Sequence, residues 1–513
     1  MKASYWFLLA FLLAGIALVF FVRHYAAYPQ IDFDEAYNLQ ISRSIADSFC
    51  YCTAYEPTRV FPTEESVNGP PQYAAALFFA TTHSPDAAKV GAATLGMALL
   101  VASLLLLEPW LVLLTCTLFF TWFFFFLTSI TFGGEIWALA FAIFGIAALR
   151  HLRRQNAQQV VRDPMFVAAA LLFGLAIECK LLVSLAIFPI ALAIFYERSA
   201  SSSRFARIAN AAVATFALLF AGLAVLAILV AFSVAHSSGH LFDFPSMASA
   251  FVGFITNMIG QGSGQANGLA DGLAQVSHFS APVVLALAVT ASAVLLYANF
   301  VYLPFVAITF AWCFFFGHAE RHTVMSLYLA ILLGTLAAQD LMRRYLPQRA
   351  RLAVSSATVA VLMIAAFVGT RSFYGTVLTN EASNGFDRKH IVQTSTGLYH
   401  YSPALVAAIR RQPYVVTSGW WQFPEISMRE GLRFHDRMRP ETAALPRDKT
   451  ALLFDAGNAN WPPTSRAHNC RSVIYRDGPL LLCAVRTDVP LNYDGSPPLR
   501  PFTPAPSPRM PSI

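Results

Sequence analysis

The stretch "SYWFLLAFLLAGIALVFFV", residues 4–22, is an unbroken apolar run near the start of the 513-residue sequence. Its length fits the ~20 residues that a helix needs to cross the hydrocarbon core of a bilayer. No cleavage site of small residues follows it, so we expect a retained helix and not a removed signal peptide. This stretch predicts an integral membrane protein.

The composition of the whole chain agrees with that prediction. Hydrophobic residues make up 57% of the sequence and charged residues only 12%, whereas soluble proteins carry about 25% charged residues. The formal charge of +7 comes from basic residues in short loops beside apolar runs and not from a continuous stripe. Such clusters are typical of topology signals, so we expect a membrane-lipid environment and no nucleic-acid partner.

Apolar segments recur along the first 371 residues and predict about eleven transmembrane helices, hence an α-helical polytopic membrane protein. The segment from 165 to 196 is interrupted by "ECK", which indicates either a tight turn between two helices or one long buried element. The predicted segments are 4–22, 86–107, 110–129, 134–149, 165–178, 181–196, 208–233, 280–297, 300–316, 323–340 and 352–371.

Three short basic loops give the predicted orientation. Residues 150–155, 197–207 and 342–351 are rich in arginine and are expected on the cytoplasmic side, together with the N-terminus. With one crossing per segment, the remaining polar positions fall on the opposite, extracytoplasmic side. These are the first loop (23–85), Glu135, the Glu178 to Lys180 turn, residues 234–279, residues 318–322 and everything after 372.

The composition changes after Arg371 and divides the chain into three predicted parts. Residues 1–372 form the transmembrane domain, residues 373–490 a small extracytoplasmic α/β domain with strands near 413–418, 450–457 and 472–485, and residues 491–513 a Pro-rich tail.

The seven cysteines contain no CxxC pair, so a cysteine-based metal site is not expected. Cys470 and Cys483 flank a predicted hairpin and are placed to form a disulfide in an oxidising compartment. The partners of Cys50 and Cys52 are left open.

The first loop gathers carboxylates directly after the N-terminal helix. "IDFDEAYNLQ", residues 31–40, places Asp32, Asp34 and Glu35 next to one another. The plain interpretation is a solvated acidic turn. The same loop ends in "NGPPQYAAALFFATT", whose Pro70 and Pro71 predict a helix that lies along the membrane interface above the carboxylates.

Further charged residues stand at the predicted extracytoplasmic ends of helices. Glu135 opens a span, where it can simply offset the helix dipole. Lys180 lies between two apolar stretches, and snorkelling explains its tolerance there. Arg321 and His322 open a late span, where Glu320 is a plain structural partner for Arg321. The functional alternative is that the cations bind phosphate while the carboxylates accept a proton from a hydroxyl group.

Four segments in this order resemble the GT-C class of integral-membrane glycosyltransferases, the relatives of protein O-mannosyltransferases and lipid A aminoarabinose transferases. "FDEAYNLQISRSI" is similar to the acidic motif of their first loop, and "NGPPQYAAALFFATTHS" to the Pro-Pro juxtamembrane segment. "GLAIECKLLVSLAIF" resembles their Gly-Leu-x-x-x-Thr-Lys segment, and "AERHTVMSLYLAILL" the start of a late helix. The resemblance covers residues 1–340 and implies the GT-C fold.

The resemblance also implies roles for individual residues. Asp34 would be the general base on the acceptor hydroxyl, with Glu35 as its acidic neighbour. Lys180, Arg321 and His322 would hold the phosphate of the donor. Asp32 and Glu135 would line the cavity.

The sequence departs from the family pattern at three positions. Cys179 stands where threonine is usual, His322 where tyrosine is common, and Asp32 is an additional carboxylate. A divalent cation is compatible with this set but is not required.

The implied reaction is an inverting displacement by a hexosyl- or pentosyltransferase. A sugar on polyprenyl phosphate would pass to the free hydroxyl group of a protein, lipid or glycan acceptor at the periplasmic face of a bacterial inner membrane. The sequence contains no GxxxxGK[ST] motif and no GxGxxG after a strand, so no nucleotide site is expected.

Two other classes of protein are alternatives to this interpretation. A secondary transporter or lipid flippase would show inverted repeats and polar residues near the bilayer midplane. No repeat is apparent, and the polar residues gather at one membrane edge. A scaffold that acts only through its external domain is the remaining alternative.

Overall fold

The computed structural model describes residues 2–27, 33–49, 51, 55–56, 69–153, 157–237, 282–315, 320–350, scattered positions from 354 to 364, 390–394, 397–417, 423–436, 442, 444–456 and 470–485. For Phe33, Asp34, Arg321 and His322 it describes the backbone alone. The chain divides into two compact units, which we call the helical unit (Met1–Pro29 and Phe61–Asn384) and the sheet unit (Gln30–Val60 and Gly385–Ile513).

The described part of the helical unit is built from a succession of apolar α-helices. Two 3₁₀ turns, Leu181–Val183 and Phe300–Tyr302, precede α10 and α13. The helices are α1 (Lys2–Tyr25), α3 (Gly69–Thr82), α4 (Pro85–Leu107), α5 (Leu111–Thr121), α6 (Phe123–Ile130), α7 (Glu135–His151), α8 (Ala157–Val160), α9 (Pro164–Cys179), α10 (Ser184–Arg198), α11 (Arg204–Ser237), α12 (Pro282–Ala298), α13 (Leu303–Phe315) and α14 (Glu320–Tyr345).

Every predicted apolar segment up to residue 340 coincides with a helix in this series. Within the described ranges, however, only five helices are long and apolar enough to cross a membrane, or six if one bent pair counts as a single span. The predicted number of about eleven is therefore not confirmed. The five spans are Leu8–Tyr25, Pro85–Leu107, Leu181–Arg198, Arg204–Leu229 and Thr323–Tyr345, and the predicted segment 352–371 lies mostly outside the described residues.

The predicted segment 110–129 is bent and not a single straight helix. Leu111–Thr121 and Phe124–Ile130 meet at 102°. The break falls at Trp122, which has extended backbone angles and is buried, with its ring stacked on Phe125 at 5.9 Å. Phe125 in turn stacks on Tyr328 of α14 at 4.9 Å. Aromatic packing of this kind favours the bend over a continuous helix.

Local sequence explains where several helices begin. α4 and α9 start with Ser84-Pro85 and Asp163-Pro164, and the Ser or Asp side chain accepts a hydrogen bond from a backbone N–H of the first turn. Proline is tolerated at the first helical position because its missing N–H would have no partner there. The chain therefore turns sharply into each helix at a position that the sequence sets.

The sheet unit contains a six-stranded mixed sheet in the order β1-β5-β4-β6-β8-β7. β5 pairs in parallel with β1 and β4, β4 pairs in parallel with β6, and β6, β8 and β7 are antiparallel. β2 and β3 form a separate hairpin. The strands are β1 (Tyr55–Glu56), β2 (Ile391–Thr394), β3 (Gly397–His400), β4 (Tyr414–Thr417), β5 (Phe434–Asp436), β6 (Thr450–Asp455), β7 (Cys470–Asp477) and β8 (Leu480–Val485).

Within the described residues, three α-helices belong to the sheet unit, namely α2 (Phe33–Ser48), α15 (Pro403–Arg410) and α16 (Pro424–Glu430). The apolar side chains of α15, α16 and the strands form a buried core around Leu405, Phe434 and Leu453. The predicted strands near 413–418, 450–457 and 472–485 are confirmed. Cys470 and Cys483 form the predicted disulfide. Cys50, Cys52 and the tail 491–513 lie outside the described residues.

The predicted boundaries place the whole first loop in the transmembrane domain. In the structure, part of this loop belongs to the sheet unit. Residues 30–60 fall in the sheet unit, because α2 packs against α16 and β1 extends the sheet beside β5. Arg43 of α2 donates hydrogen bonds to the carbonyl groups of Met428 at 2.6 Å and Arg429 at 3.4 Å. These carbonyls end a helix and would otherwise need another donor, so Arg43 ties the first loop to the C-terminal part of the chain.

Candidate functional site

Lys180 stands at a break between two helices of the helical unit. α9 ends at Cys179, and Lys180 has extended backbone angles (φ −159°, ψ 108°) before the 3₁₀ turn Leu181–Val183. Its N–H still bonds the Ala176 carbonyl at 3.0 Å, and its own carbonyl accepts from Val183 at 3.1 Å. The predicted turn at "ECK" is therefore confirmed, and the alternative of one long element is wrong.

The ammonium group of Lys180 pairs with a carboxylate from another helix. Lys180 Nζ lies 2.8 Å from Glu135 Oε1, and the two side chains are 15% and 3% exposed. Glu135 is the first residue of α7, as predicted. Its other carboxylate oxygen folds back over Gly133, where an added Cβ would collide with Glu135 Oε2. Gly133 thus leaves room for the observed position of this carboxylate, which would have to shift if the residue carried a side chain.

A second carboxylate lies beside this ion pair in the sequence and was not among the predicted site residues. Glu178, in the last turn of α9, is 2% exposed. Its Oε1 approaches Gly69, the first residue of α3, so closely that a Cβ there would lie 2.7 Å away. Its Oε2 makes no hydrogen bond to any described residue. The sequence feature that could have identified Glu178 is its position two residues before Lys180, where the helix is interrupted.

Two of the segments that resemble the GT-C class thus meet within the helical unit, together with Glu135. Gly69 begins the Pro-Pro helix, Glu135 begins α7, Glu178 lies in the last turn of α9, and Lys180 follows that helix directly; we call these four residues the lysine cluster. Removing charges from water is costly, so buried charges are usually paired. An ammonium group carries three N–H donors, and the pair with Glu135 leaves donor capacity for an anion such as phosphate.

The late-helix residues are placed only by their backbone. Arg321 and His322 lie in the first turn of α14, as predicted, but their side chains are outside the described part of the structure. α14 contacts both α7 and the Leu181–Val183 turn, the elements that hold Glu135 and follow Lys180. The assignment of Arg321 and His322 to the donor phosphate remains a prediction.

The acidic residues of the first loop lie in the sheet unit. Asp34 and Glu35 are in the first turn of α2 and not in a loop, so the interpretation as a solvated turn is wrong for Glu35, which is 2% exposed. The side chain of Asp34 and the whole of Asp32 are outside the described residues. Their roles remain predictions.

The described side chains contain no group of three or more His, Cys, Asp or Glu residues that could hold a metal ion. That search does not reach Asp32, Asp34 or His322. A divalent cation is neither supported nor opposed by the lysine cluster, in which Lys180 already pairs with Glu135.

Comparison with known proteins gives structural relatives only. No protein-family model matches the sequence, and no curated protein sequence matches it. The crystal structure of ArnT from Cupriavidus metallidurans bound to undecaprenyl phosphate is similar, with a TM-score of 0.59 at 13% identity, covering 94% of this chain and 99% of that one. The apo form of the same protein gives a TM-score of 0.49 at 12% identity.

The similarity to the ligand-bound structure runs over nearly the full length of both chains, including both units described above. At 13% identity it is evidence for the fold alone. It confirms the resemblance that four short segments had predicted. The chain has a fold similar to that of ArnT.

Proposed function

We propose that this protein is an integral-membrane glycosyltransferase that transfers a sugar from a polyprenyl-phosphate donor to an acceptor hydroxyl group. The observation that carries the proposal is the shared fold with ArnT, a protein whose crystal structure contains undecaprenyl phosphate. A GT-C fold, several apolar helices and motif segments in the family order all support the same class of enzyme.

The lysine cluster supports a role in donor binding. Lys180 is a largely buried cation that is fixed by Glu135 at the end of an apolar helix. A positive charge held in a low-dielectric site stabilises the phosphate leaving group as negative charge develops on it. Arg321, at the start of α14, would add planar donors to the same phosphate. In this proposal Lys180, Arg321 and His322 bind the donor phosphate.

In this proposal, residues of the first loop activate the acceptor hydroxyl group. Asp34 would take the proton of the acceptor hydroxyl as that oxygen attacks the anomeric carbon opposite the phosphate, so the configuration at that carbon inverts. Glu35, buried in the same turn of α2, would support this carboxylate. Asp32 and Glu135 would line the cavity. Transfer ends with the sugar on the acceptor and the polyprenyl phosphate released.

The proposed location is the inner membrane of a bacterium, with the sheet unit facing the periplasm. The disulfide between Cys470 and Cys483 supports this side, because disulfides persist in oxidising compartments. Arginines from all three basic loops line one cavity at a shared end of the helices, as the expected cytoplasmic clustering requires.

Substitution of the proposed base is the direct test. The purified protein is incubated with radiolabelled polyprenyl-phosphate sugars and with protein, lipid A and glycan acceptors, and labelled product is measured. We expect Asp34→Asn to lower product formation by at least about 100-fold, in the range reported for loss of general base catalysis. The matched control is Asp47→Asn on the same helix, whose side chain is 63% exposed and pairs with Arg43. It should keep full activity.

Other outcomes would redirect the assignment. Full activity of Asp34→Asn would remove Asp34 as the base. Absence of transfer from every donor, together with solute uptake into sealed vesicles by the wild-type protein and by Asp34→Asn alike, would favour the transporter alternative. Absence of binding to every polyprenyl-phosphate sugar would favour a scaffold.

A further inference from the structure

A cavity of about 660 Å³ opens between helix ends of the helical unit, at a distance from the lysine cluster. It is lined by the last turns of α7, α10 and α12, by the first turn of α11 and by the second half of α14. Its volume falls in the range of about 300–1,000 Å³ that is usual for small-ligand pockets. We call it the arginine cavity.

Five arginines line the arginine cavity, against two carboxylates. Cavities between transmembrane helices with several arginines on the cytoplasmic side are suited to anionic headgroups. The two carboxylates can neutralise at most two of the five positive charges. The arginines are Arg150, Arg198, Arg204, Arg207 and Arg344, and the carboxylates are Glu197 and Asp340.

Both carboxylates of the cavity already have partners within the protein. Glu197 accepts a hydrogen bond from the Asn299 side chain at 2.9 Å. Asp340 pairs with Arg150 at 3.4 Å and with Arg343 at 3.6 Å. They are therefore positioned by internal contacts, and they do not neutralise the rest of the cavity.

One further arginine is fixed by the wall of the cavity. Arg207 donates to the Tyr196 carbonyl through Nε at 3.2 Å and Nη2 at 2.9 Å, and its guanidinium lies 4.2 Å from the centre of the Tyr196 ring. Arg204 and Arg344, in contrast, are exposed and make no ion pair or hydrogen bond to any residue in the described part of the chain. These two guanidinium groups are available to an anion.

The rim of the cavity suits a lipid and not only a soluble anion. Tyr297 and Phe300 line the cavity and are 76% and 56% exposed. Exposed aromatic rings at the ends of transmembrane helices typically lie at the level of lipid headgroups. A ligand at this position would place a phosphate among the arginines and apolar chains beside these rings.

We propose that the arginine cavity binds the phosphate headgroup of an anionic phospholipid of the leaflet that surrounds this end of the helices. Arginine matches phosphate oxygens with its planar, two-pronged donor geometry. The site is separate from the proposed donor site, because Glu135 and Arg150 are 15 residues apart on α7, or about 22 Å at 1.5 Å per residue. The assignment does not depend on the glycosyltransferase proposal.

Lipid binding is tested on the full-length protein in detergent by native mass spectrometry and by the midpoint of thermal unfolding. Phosphatidylglycerol, phosphatidylcholine and pyrophosphate are added in parallel titrations. We expect saturable binding of phosphatidylglycerol, weaker binding of zwitterionic phosphatidylcholine, and no stabilisation by pyrophosphate. Arg204→Gln with Arg344→Gln should weaken phosphatidylglycerol binding roughly 30-fold, as expected for the loss of two basic contacts.

The control separates a built site from basic residues that only set topology. Arg162 is exposed in the connection before α9 and is not among the residues that line the cavity. Arg162→Gln should bind phosphatidylglycerol as the wild type does. An equal loss in Arg162→Gln, or equal binding of the two phospholipids by the wild type, would overturn the proposal. Stabilisation by pyrophosphate that disappears in the double variant would assign the cavity to a soluble phosphate.

Discussion

The two ends of the helical unit use charge in opposite ways. At the end where α7 begins, Lys180 and Glu135 form a close ion pair with side chains that are 15% and 3% exposed. At the end where α7 stops, Arg150 pairs with Asp340 at 3.4 Å, and these side chains are 33% and 43% exposed. One pair is held in a fixed position away from water, and the other stands at the edge of an open cavity.

Burial decides what each pair contributes. Breaking a buried pair by removing one partner leaves a desolvated charge and costs about 3–5 kcal/mol. Breaking a pair near the surface costs about 0–1 kcal/mol, because water and salt already screen it. The comparison therefore predicts that similar substitutions at the two ends will differ several-fold in their effect on stability.

The largest effect is expected from Lys180→Met. This change leaves the buried carboxylate of Glu135 without the cation that pairs with it. We expect the free energy of unfolding of the helical unit to fall by about 3–5 kcal/mol. Sugar transfer should fall as well. Thermal unfolding in detergent and the transfer assay measure the two effects.

A double substitution separates stability from function at this end. Lys180→Met with Glu135→Leu replaces the ion pair by two apolar side chains of similar size, which is often neutral for stability. We expect the midpoint of unfolding to return most of the way to the wild-type value while transfer stays low. Recovery of transfer together with stability would show that the pair is structural and that Lys180 does not bind the donor.

A smaller effect is expected from the glycine that touches the lysine cluster. In Gly69→Ala the new Cβ would lie 2.7 Å from Glu178 Oε1, and Glu178 is almost completely buried. Overpacking of this kind costs about 1–3 kcal/mol. A displacement of the cluster by about 1 Å could lower transfer up to about 100-fold. Both thermal unfolding and transfer should report the change.

The matched control is Gly222→Ala in α11, where the nearest atom to an added Cβ is 3.8 Å away. Alanine favours a helix over glycine, so this variant should be as stable as the wild type or more stable by up to about 1 kcal/mol. If Gly69→Ala behaved in the same way as Gly222→Ala, the close packing of α3 against Glu178 would not matter for the site.

Much of the lysine cluster could be predicted from sequence, and the reason is local. An ionisable residue in an apolar run, such as Glu135 or Lys180, is conspicuous because few such residues are tolerated there. The break at "ECK" could be predicted as well, since a lysine between two apolar stretches marks a turn. Glu178 is not among the predicted site residues, because its contact is with Gly69 of α3, which is more than 100 residues away in the sequence.

The sheet unit shows what sequence could not reveal. The strands after residue 413 carry their own alternation of polar and apolar residues and were predicted. β1 has only two residues, too few for any periodic signal, and it is a strand because β5 offers a free edge. The composition of α2 is polar and is typical of a loop. Its position beside α16 depends on contacts such as that of Arg43 with Met428. Pairings between distant segments decide the domain boundary here.

The smallest effect is expected at the open end of the helical unit. Asp340→Asn removes the carboxylate that pairs with Arg150 at 3.4 Å and with Arg343 at 3.6 Å. Arg150 remains partly exposed to water and Arg343 keeps Glu108 at 3.3 Å, so neither is left as a buried unpaired charge. We expect a loss of less than about 1 kcal/mol that shrinks further in high salt. Thermal unfolding at low and high ionic strength measures it, and transfer activity should not change. A loss as large as that of Lys180→Met would mean that the arginine cavity is closed to water, and the contrast between the two ends would then fail.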